Sequence, residues 1–196
     1  MSVAAISGFT SGLAQLLKQR HELNPAQAGF SASFDAVGIS DFKKLDGAQT
    51  RVSLMLVRIS QNEHLRNRPA ATMPPGRRPP LAVDLHLLFT VWADKAEKEQ
   101  LLLAWLLREL HGLPVLGGAA LGAPFATVDA VQLIPEELSL DELSKLWQVL
   151  VPPLRPSLGY VARHVALDLE PQPDDALVVA TRMRMIDPPP AQEAAR

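Results

Sequence analysis

The chain has 196 residues, 47% of them hydrophobic, and a net charge of −2, so it can build one good core and exerts no global pull toward nucleic acid or an anionic membrane. It contains no cysteine, which excludes a disulfide framework and a thiol nucleophile and suits a reducing compartment. No run of about 18 apolar residues occurs, so no membrane-spanning helix is expected, and the N-terminal MSVAAISGFTSGL lacks the basic stretch of a Sec-type signal.

Residues 3–20 read as a first helix, with Ile6, Phe9, Leu13, Leu16 and Leu17 at helical spacing and Lys18 and Arg20 near the end where the dipole favours cations. Residues 26–45 are small and polar, with Phe30, Phe34, Val37 and Ile39 as anchors for short strand pieces. Arg51 to Ser60 reads as a strand: Val52, Leu54 and Leu56 on one face, Met55, Val57 and Ile59 on the other. Apolar residues on both faces predict a central position.

Gln61 to Pro80 is a loop with four arginines (Arg66, Arg68, Arg77, Arg78) and five prolines. Two readings stay open. One is an ordinary surface excursion. The other is a stiff basic contact segment whose polyproline character lowers the cost of ordering it on an acidic protein surface. The loop has no aromatic residue to stack on a base, which argues against nucleic acid.

Leu81 to Trp92 alternates over twelve residues. Leu81, Val83, Leu85, Leu87, Phe89 and Val91 form a wholly apolar face. Ala82, Asp84, His86, Leu88, Thr90 and Trp92 form a mixed one. Period-two alternation of this length predicts a long strand. The period then changes to helical over 96–111, with Asp94 as candidate cap, Glu97 in the capping-box position, and Gly112 and Pro114 as the stop. Leu101, Leu102, Leu103, Trp105, Leu106, Leu107 and Leu110 cover more than half of this helix's circumference. Only Gln100, Ala104 and Arg108 mark a polar line, so burial on two sides is expected.

Leu113 to Pro135 reads as a loop leading to a strand over Ala126–Ile134; its Gly117, Gly118 and Gly122 have neither GK[ST] nor GxGxxG around them to hold a phosphate. Ser139 and Glu142 form an S-x-x-E capping box for a helix whose stripe is Leu143, Leu146, Trp147 and Leu150, stopped by Pro152 and Pro153. Ser157 to Leu169 is a further strand, with Val161, Val165, Leu167 and Leu169 on one face and Tyr160, Ala162, His164 and Ala166 on the other. After a polar break at Pro171–Asp175, Ala176 to Ile186 is strand-like again, with Arg182 and Arg184 on one side and Met183 and Met185 on the other. Such an appended strand can pair with its own sheet edge or with another chain's. The final PPPAQEAAR reads as disordered.

No catalytic, cofactor or metal site stands out. The five histidines (His21, His64, His86, His111, His164) have no metal-ligand spacing, and neither HExxH nor GxSxG occurs. His86, beside Asp84 on one strand face, reads as a structural hydrogen-bonding group. Glu136–Glu137 and Asp141–Glu142 read as helix-start carboxylates. Trp92, Trp105 and Trp147 read as core or interface anchors. The residues alone lead to a soluble α/β or α+β domain that assembles, and nothing in them demands catalysis.

Beyond this, the run PPLAVDLHLLFTVWAD, the Leu-rich helix behind it, and SLDELSKLWQVLVPPLRPSLGYVARHVALD resemble a family. They are similar to the tail-cap, or tail-terminator, proteins of extracellular contractile injection systems of the antifeeding-prophage and virulence-cassette type. The likeness is carried by Pro79-Pro80 before a strand with Asp84 fourth and Phe89 further on. It is also carried by Leu146–Trp147 and by the Arg155-Pro156-Ser157 turn leading to Tyr160. The N-terminal helix, the strand at Arg51–Ile59 and Arg66-Asn67 fit as well, and the likeness spans roughly residues 3–170. Some relatives carry a further C-terminal domain, where this chain has a short arm from Ala176.

The resemblance implies an α+β fold like phage tail terminators, a mixed, largely antiparallel sheet with packed helices, in a cap domain over 1–170 followed by an arm over 171–196. It implies a non-enzymatic protein without cofactor: a homohexameric ring that closes tube and sheath at the end distal to the baseplate and stops tail growth, with sheath and inner-tube proteins as partners and neither nucleic acid nor membrane. Assembly would take place in the bacterial cytoplasm, within a particle that is later released. Candidate partner-binding residues are Arg66, Arg68, Arg77 and Arg78 in the loop, Leu102 and Leu106 on the over-apolar helix, and Val178, Arg182 and Arg184 in the arm, which would add to a sheet edge of a neighbouring cap or sheath subunit. The alternative is a free-standing adaptor or assembly chaperone that docks a partner through 61–80.

Overall fold

A computed structural model of the chain describes residues 4–23, 30–62, 80–122, 125 and 130–167. The elements follow in the order α1 (Ala5–Leu23), β1 (Ser33–Val37), α2 (Ile39–Phe42), β2 (Arg51–Gln61), β3 (Leu81–Trp92), α3 (Ala96–His111), β4 (Val115–Gly117), α4 (Gly118–Leu121), β5 (Ala130–Glu136), α5 (Leu140–Leu150) and β6 (Ser157–Leu167). The strands form one six-stranded sheet in the order β1-β2-β3-β6-β5-β4. Among the described residues only β1–β2 is parallel, and the other pairs are antiparallel. The architecture is therefore α+β with a mixed, largely antiparallel sheet.

The twelve-residue alternation is β3, and the two faces of β3 feed two separate cores. Val83, Leu85, Leu87, Phe89 and Val91 enter the larger one, under α1 (Phe9, Leu13, Leu17) and α3 (Leu102, Trp105, Leu106, Leu110). Leu88 and Trp92 enter the smaller one with Phe42, Met55, Trp147 and Leu150, under α2 and α5. The mixed face is thus dry at its Trp92 end and wetter at its Asp84 end. The aromatic rings of Phe42, Trp92 and Trp147 lie 5.2–6.3 Å apart in edge and tilted contacts. A file of polar groups crosses the dry end of the sheet. Trp92 Nε1 donates to Ser53 Oγ at 2.8 Å, and Thr90 and Ser157 hydroxyls meet at 2.9 Å. Buried hydroxyls are tolerated there because each has a partner.

Two bulges change which side chains share a face. In β2 the register shifts between Leu56 and Arg58. Val57 becomes the extra residue, so Ile59 pairs with Leu85 and joins the face of Leu54 and Leu56, while Arg58 joins the face of His86. Uniform alternation therefore misplaces Ile59. Moreover Val57 and Ile59 remain exposed, so the wet end of β2 is not covered on both faces. In β6 the shift lies opposite Val83/Leu85, with His164 at φ +69°. The bulge sets Tyr160 and Ala162 on the same core face as Val165, which corrects the two-face assignment made from alternation.

Two helix starts show how context decides a cap. Ser139 and Glu142 make the expected capping box, and the Ser139 hydroxyl and backbone N–H hold the Glu142 carboxyl below the usual range. Asp94 makes no cap. Helix α3 begins after Lys95, and Asp94 instead pairs with Lys98 at 2.9 Å, which lowers its pKa. The segment expected to be a loop over 113–125 carries the short β4 and α4; β5 is described from Ala130 to Glu136, and the expected strand start over 126–129 lies outside the described residues. There α1 comes close: a Cβ on Gly12 would lie 2.4 Å from the Leu121 carbonyl oxygen, so only glycine fits.

His21 is buried at the end of α1 between Phe34 and Trp105, with centroids at 5.3 and 5.0 Å, and its Nε2 has no hydrogen-bond partner among the described residues. Burial holds its pKa below the ordinary value near 6.5, with the adjacent Glu22 carboxylate opposing in part. As pH falls below about 6.5 the unfolded chain takes up a proton at this imidazole and the folded chain does not, so stability is present above that pH and lost below it. A His21→Phe variant should therefore lose less melting temperature between pH 7.5 and pH 5.5 than the parent chain. Equal losses in two calorimetric scans would show that His21 is not the responsible group.

Candidate assembly surfaces

At the wet end of the sheet, on the face of the smaller core, side chains from β2, β3 and β5 converge. His86 Nδ1 meets Glu136 Oε1 at 2.8 Å, His86 Nε2 meets Ser60 Oγ at 3.0 Å, and Arg58 Nη2 lies 3.1 Å from the same Nε2 and 3.8 Å from Glu136. Glu136 thus serves as the partner of His86 and Arg58, not as a helix-start carboxylate. The cluster lies two strands apart because β6 carries Gly159 between Leu88 and Glu136. With no side chain there, the Glu136 carboxylate reaches across β6 to β3. A groove of about 200 Å³ opens beside it, lined by Val57, Arg58, His86, Glu136, Leu138 and Leu146.

Ser60, His86 and Glu136 stand in the order of an acyl-transfer triad. The guanidinium of Arg58 sits on the nitrogen that would take the serine proton. Its Nη2 competes with Ser60 Oγ for that nitrogen, and together these contacts link three strands. The arrangement is better described as a polar clasp holding three strands.

Asp84 holds the second bulge and does not bond His86. Its carboxylate accepts from Asn62 Nδ2 at 3.0 and 3.1 Å and from the backbone N–H of His164 at 3.2 Å. A carboxylate is well suited here, because the bulge leaves a backbone donor without a strand partner. On the opposite end, Arg155 joins three elements. It meets Glu99 of α3 at 2.8 Å, reaches the Ala93 carbonyl at 3.5 Å, and lies 5.3 Å over the Trp92 ring. Sequence reasoning noted the Arg155-Pro156-Ser157 turn but assigned Arg155 no partner, since Glu99 is 56 residues away.

The candidate partner-binding residues separate into two groups. Leu102 and Leu106 are fully buried in the larger core, so they are not surface for a partner, contrary to expectation. One face of α3 suffices to bury them, and the outward apolar side chains of α3 are Leu101 at 49% and Leu107 at 43% exposure. On the other side of the sheet, Val149, Val151 and Leu154 are exposed around the end of α5. Arg66, Arg68, Arg77, Arg78, Val178, Arg182 and Arg184 lie outside the described residues, as does the arm as a whole. No described helix is long and apolar enough to cross a membrane.

A family model described as the Pvc16 N-terminal domain matches residues 9–181. No curated protein matches the chain. Among solved structures, the fold is similar to the sheath/tube terminator of an extracellular contractile injection system, PVC, in its extended state. The TM-score is 0.52 at 20% identity, over 88% of this chain and 63% of that one. It is also similar to the anti-feeding prophage cap, a tube-terminating cap, with a TM-score of 0.53 at 19% identity, over 86% of this chain and 60% of that one. The chain spans less than two thirds of either.

Gly159 provides a test of the strand clasp. A Cβ at this position would lie 2.6 Å from the Glu136 carbonyl oxygen, whereas one at Gly117 meets nothing within 4 Å. Gly159→Ala should cost about 1–3 kcal/mol of unfolding free energy in a denaturant titration, and Gly117→Ala at most about 0.5 kcal/mol. Equal losses would mean that close approach at β6 does not hold β5 in register.

Proposed function

The chain belongs to the Pvc16 N-terminal domain family, and from that membership we propose that it is a structural cap, or tail terminator, of a contractile injection system. It forms a homohexameric ring that closes the tube and sheath at the end distal to the baseplate and stops tail elongation. The observation that carries the reading is the shared fold over 88% of the chain with a sheath/tube terminator. Its partners are copies of itself and the sheath and inner-tube proteins. The role is geometric and requires no bond-making step. Assembly takes place in the cytoplasm, before release of the particle.

A closed ring needs a heterologous interface, in which one patch of a copy meets a different patch of the next. The exposed apolar side chains on opposite sides of the sheet suit this. Leu101 and Leu107 on α3 of one copy face Val149, Val151 and Leu154 at the end of α5 of its neighbour. Leaving such side chains wet forfeits part of about 1.5–3 kcal/mol each. The arginines Arg66, Arg68, Arg77 and Arg78 dock the ring on acidic surfaces of sheath or tube.

Size-exclusion chromatography with light scattering should find six copies for the parent chain, alone or with tube protein, and smaller species for Leu107→Asp and for Val149→Asp. A monomer at every concentration, with tube present, would defeat the ring and return the adaptor reading based on 61–80. Independently, reversing Arg77 and Arg78 to Glu should leave the six-copy species intact and reduce its capture by sheath or tube at least tenfold near 0.15 M salt, on the order expected of desolvated charge pairs. Unchanged capture would remove the loop from the interface.

A further inference from the structure

Strand β1 ends at Val37 and covers only Arg51–Met55 of β2. From Leu56 to Gln61, β2 has no strand on its outer side among the described residues. The bulge at Val57 and the exposed Arg58 guard this edge in part, but its apolar side chains stay open. Val57 is 43% and Ile59 48% exposed, and both are β-branched. Where β1 stops, an open groove of about 460 Å³ continues its line, walled by Ile6, Ser7 and Thr10 of α1, by Ala36 and Val37, and by Leu56. The place beside it has an apolar floor and a backbone to pair with.

We infer that this edge is the docking site of the chain's own segment Ala176–Ile186, which adds to β2 as a seventh, antiparallel strand. Three features support it. The first is the pattern. Leu177, Val179, Thr181, Met183 and Met185 lie on one side of an extended strand, and Val178, Ala180, Arg182, Arg184 and Ile186 on the other. The first side matches the apolar floor at Ile6, Leu56 and Ile59; the second points its arginines to water. The second feature is where the described chain ends. Leu167 pairs with Leu81, and Val165 with Val83, which pairs with Gln61, so the chain leaves β6 at the same end of the sheet as the open half of β2. The vacant place is three strand positions from β6, about 14 Å at ~4.8 Å per strand. The eight residues 168–175 can span up to roughly 26 Å. The third feature is topology. A chain that leaves β6, which is parallel to β2, and turns back past β3 would run antiparallel to β2 on its outer side. The short tether also gives the segment of the same chain a high effective concentration over any free competitor.

This inference concerns a single copy and does not rest on the ring. The absence of native cysteine makes a clean test available. Ile59→Cys is combined in turn with Leu177→Cys, Val179→Cys and Thr181→Cys in the full chain, with Gln192→Cys as control, and each is oxidised mildly. The expected result is a disulfide within one chain for at least one strand position and none for the control. In parallel, hydrogen exchange at Leu56–Gln61 should be slow in the parent and about tenfold faster in Val178→Pro, which cannot sustain the ladder, with the core amides of β3 unchanged. A disulfide that links two chains would overturn the inference by assigning the edge to a neighbouring copy. No disulfide at any strand position, with exchange at 56–61 unmoved by the proline, would overturn it by leaving the edge empty.

Discussion

The fold depends on a strand that must be buried on both sides. In β3 the apolar face is complete from Val83 to Val91, while Leu88, Thr90 and Trp92 make the other face dry at one end. A single layer of helices cannot cover such a strand. Helices α1 and α3 take one side, α2 and α5 the other, and the sheet grows outward through β2 and β6. At the Trp92 end the order is tight: the indole is hydrogen-bonded, packed edge-on by Phe42, tilted against Trp147 and overlain by Arg155. At the Asp84 end the same strand meets water, and both neighbouring strands bulge.

Those bulges explain what could be read from the residues and what could not. The limits of β3 follow from its alternation, and the start of α5 follows from Ser139 and Glu142, because both signals are local and strong. The three tryptophans lie in the core as expected. Strict alternation fails at Ile59 and at Tyr160 because one extra residue reverses the parity of everything beyond it, and no turn residue announces it. His164 adopts a left-handed conformation that a sequence reader assigns to glycine. Asp84 sits opposite that bulge and accepts its backbone N–H, a role visible only once β3 and β6 are paired.

Similar reasons apply to the candidate surfaces. The Leu-rich α3 looked too apolar for one cover, yet Leu102, Trp105, Leu106 and Leu110 share a single buried arc, and Leu101 and Leu107 lie at the margins of the exposed one. Composition counts apolar residues; only packing tells which are spent inside. Glu136 and Arg155 escaped notice as pairing groups because their partners, His86 and Glu99, are distant in sequence. A carboxylate within hydrogen-bonding reach of an imidazole is by itself a poor guide to catalysis, and here a guanidinium lies against the other ring nitrogen. Here the cluster ties β2, β3 and β5 together over Gly159, and the surface left on either side is apolar and shallow, which suits protein–protein contact.

A cap of the kind proposed would work by shape. Cross-sheet packing and two apolar margins on opposite sides of the sheet are features a terminal ring would use. Cryo-electron microscopy of assembled particles, with this chain carrying a small fused label, tests the account most directly. The account predicts six labels in one ring at the end opposite the baseplate, and none along the tube or sheath. Label at the baseplate, scattered along the shaft, or missing from finished particles would contradict it.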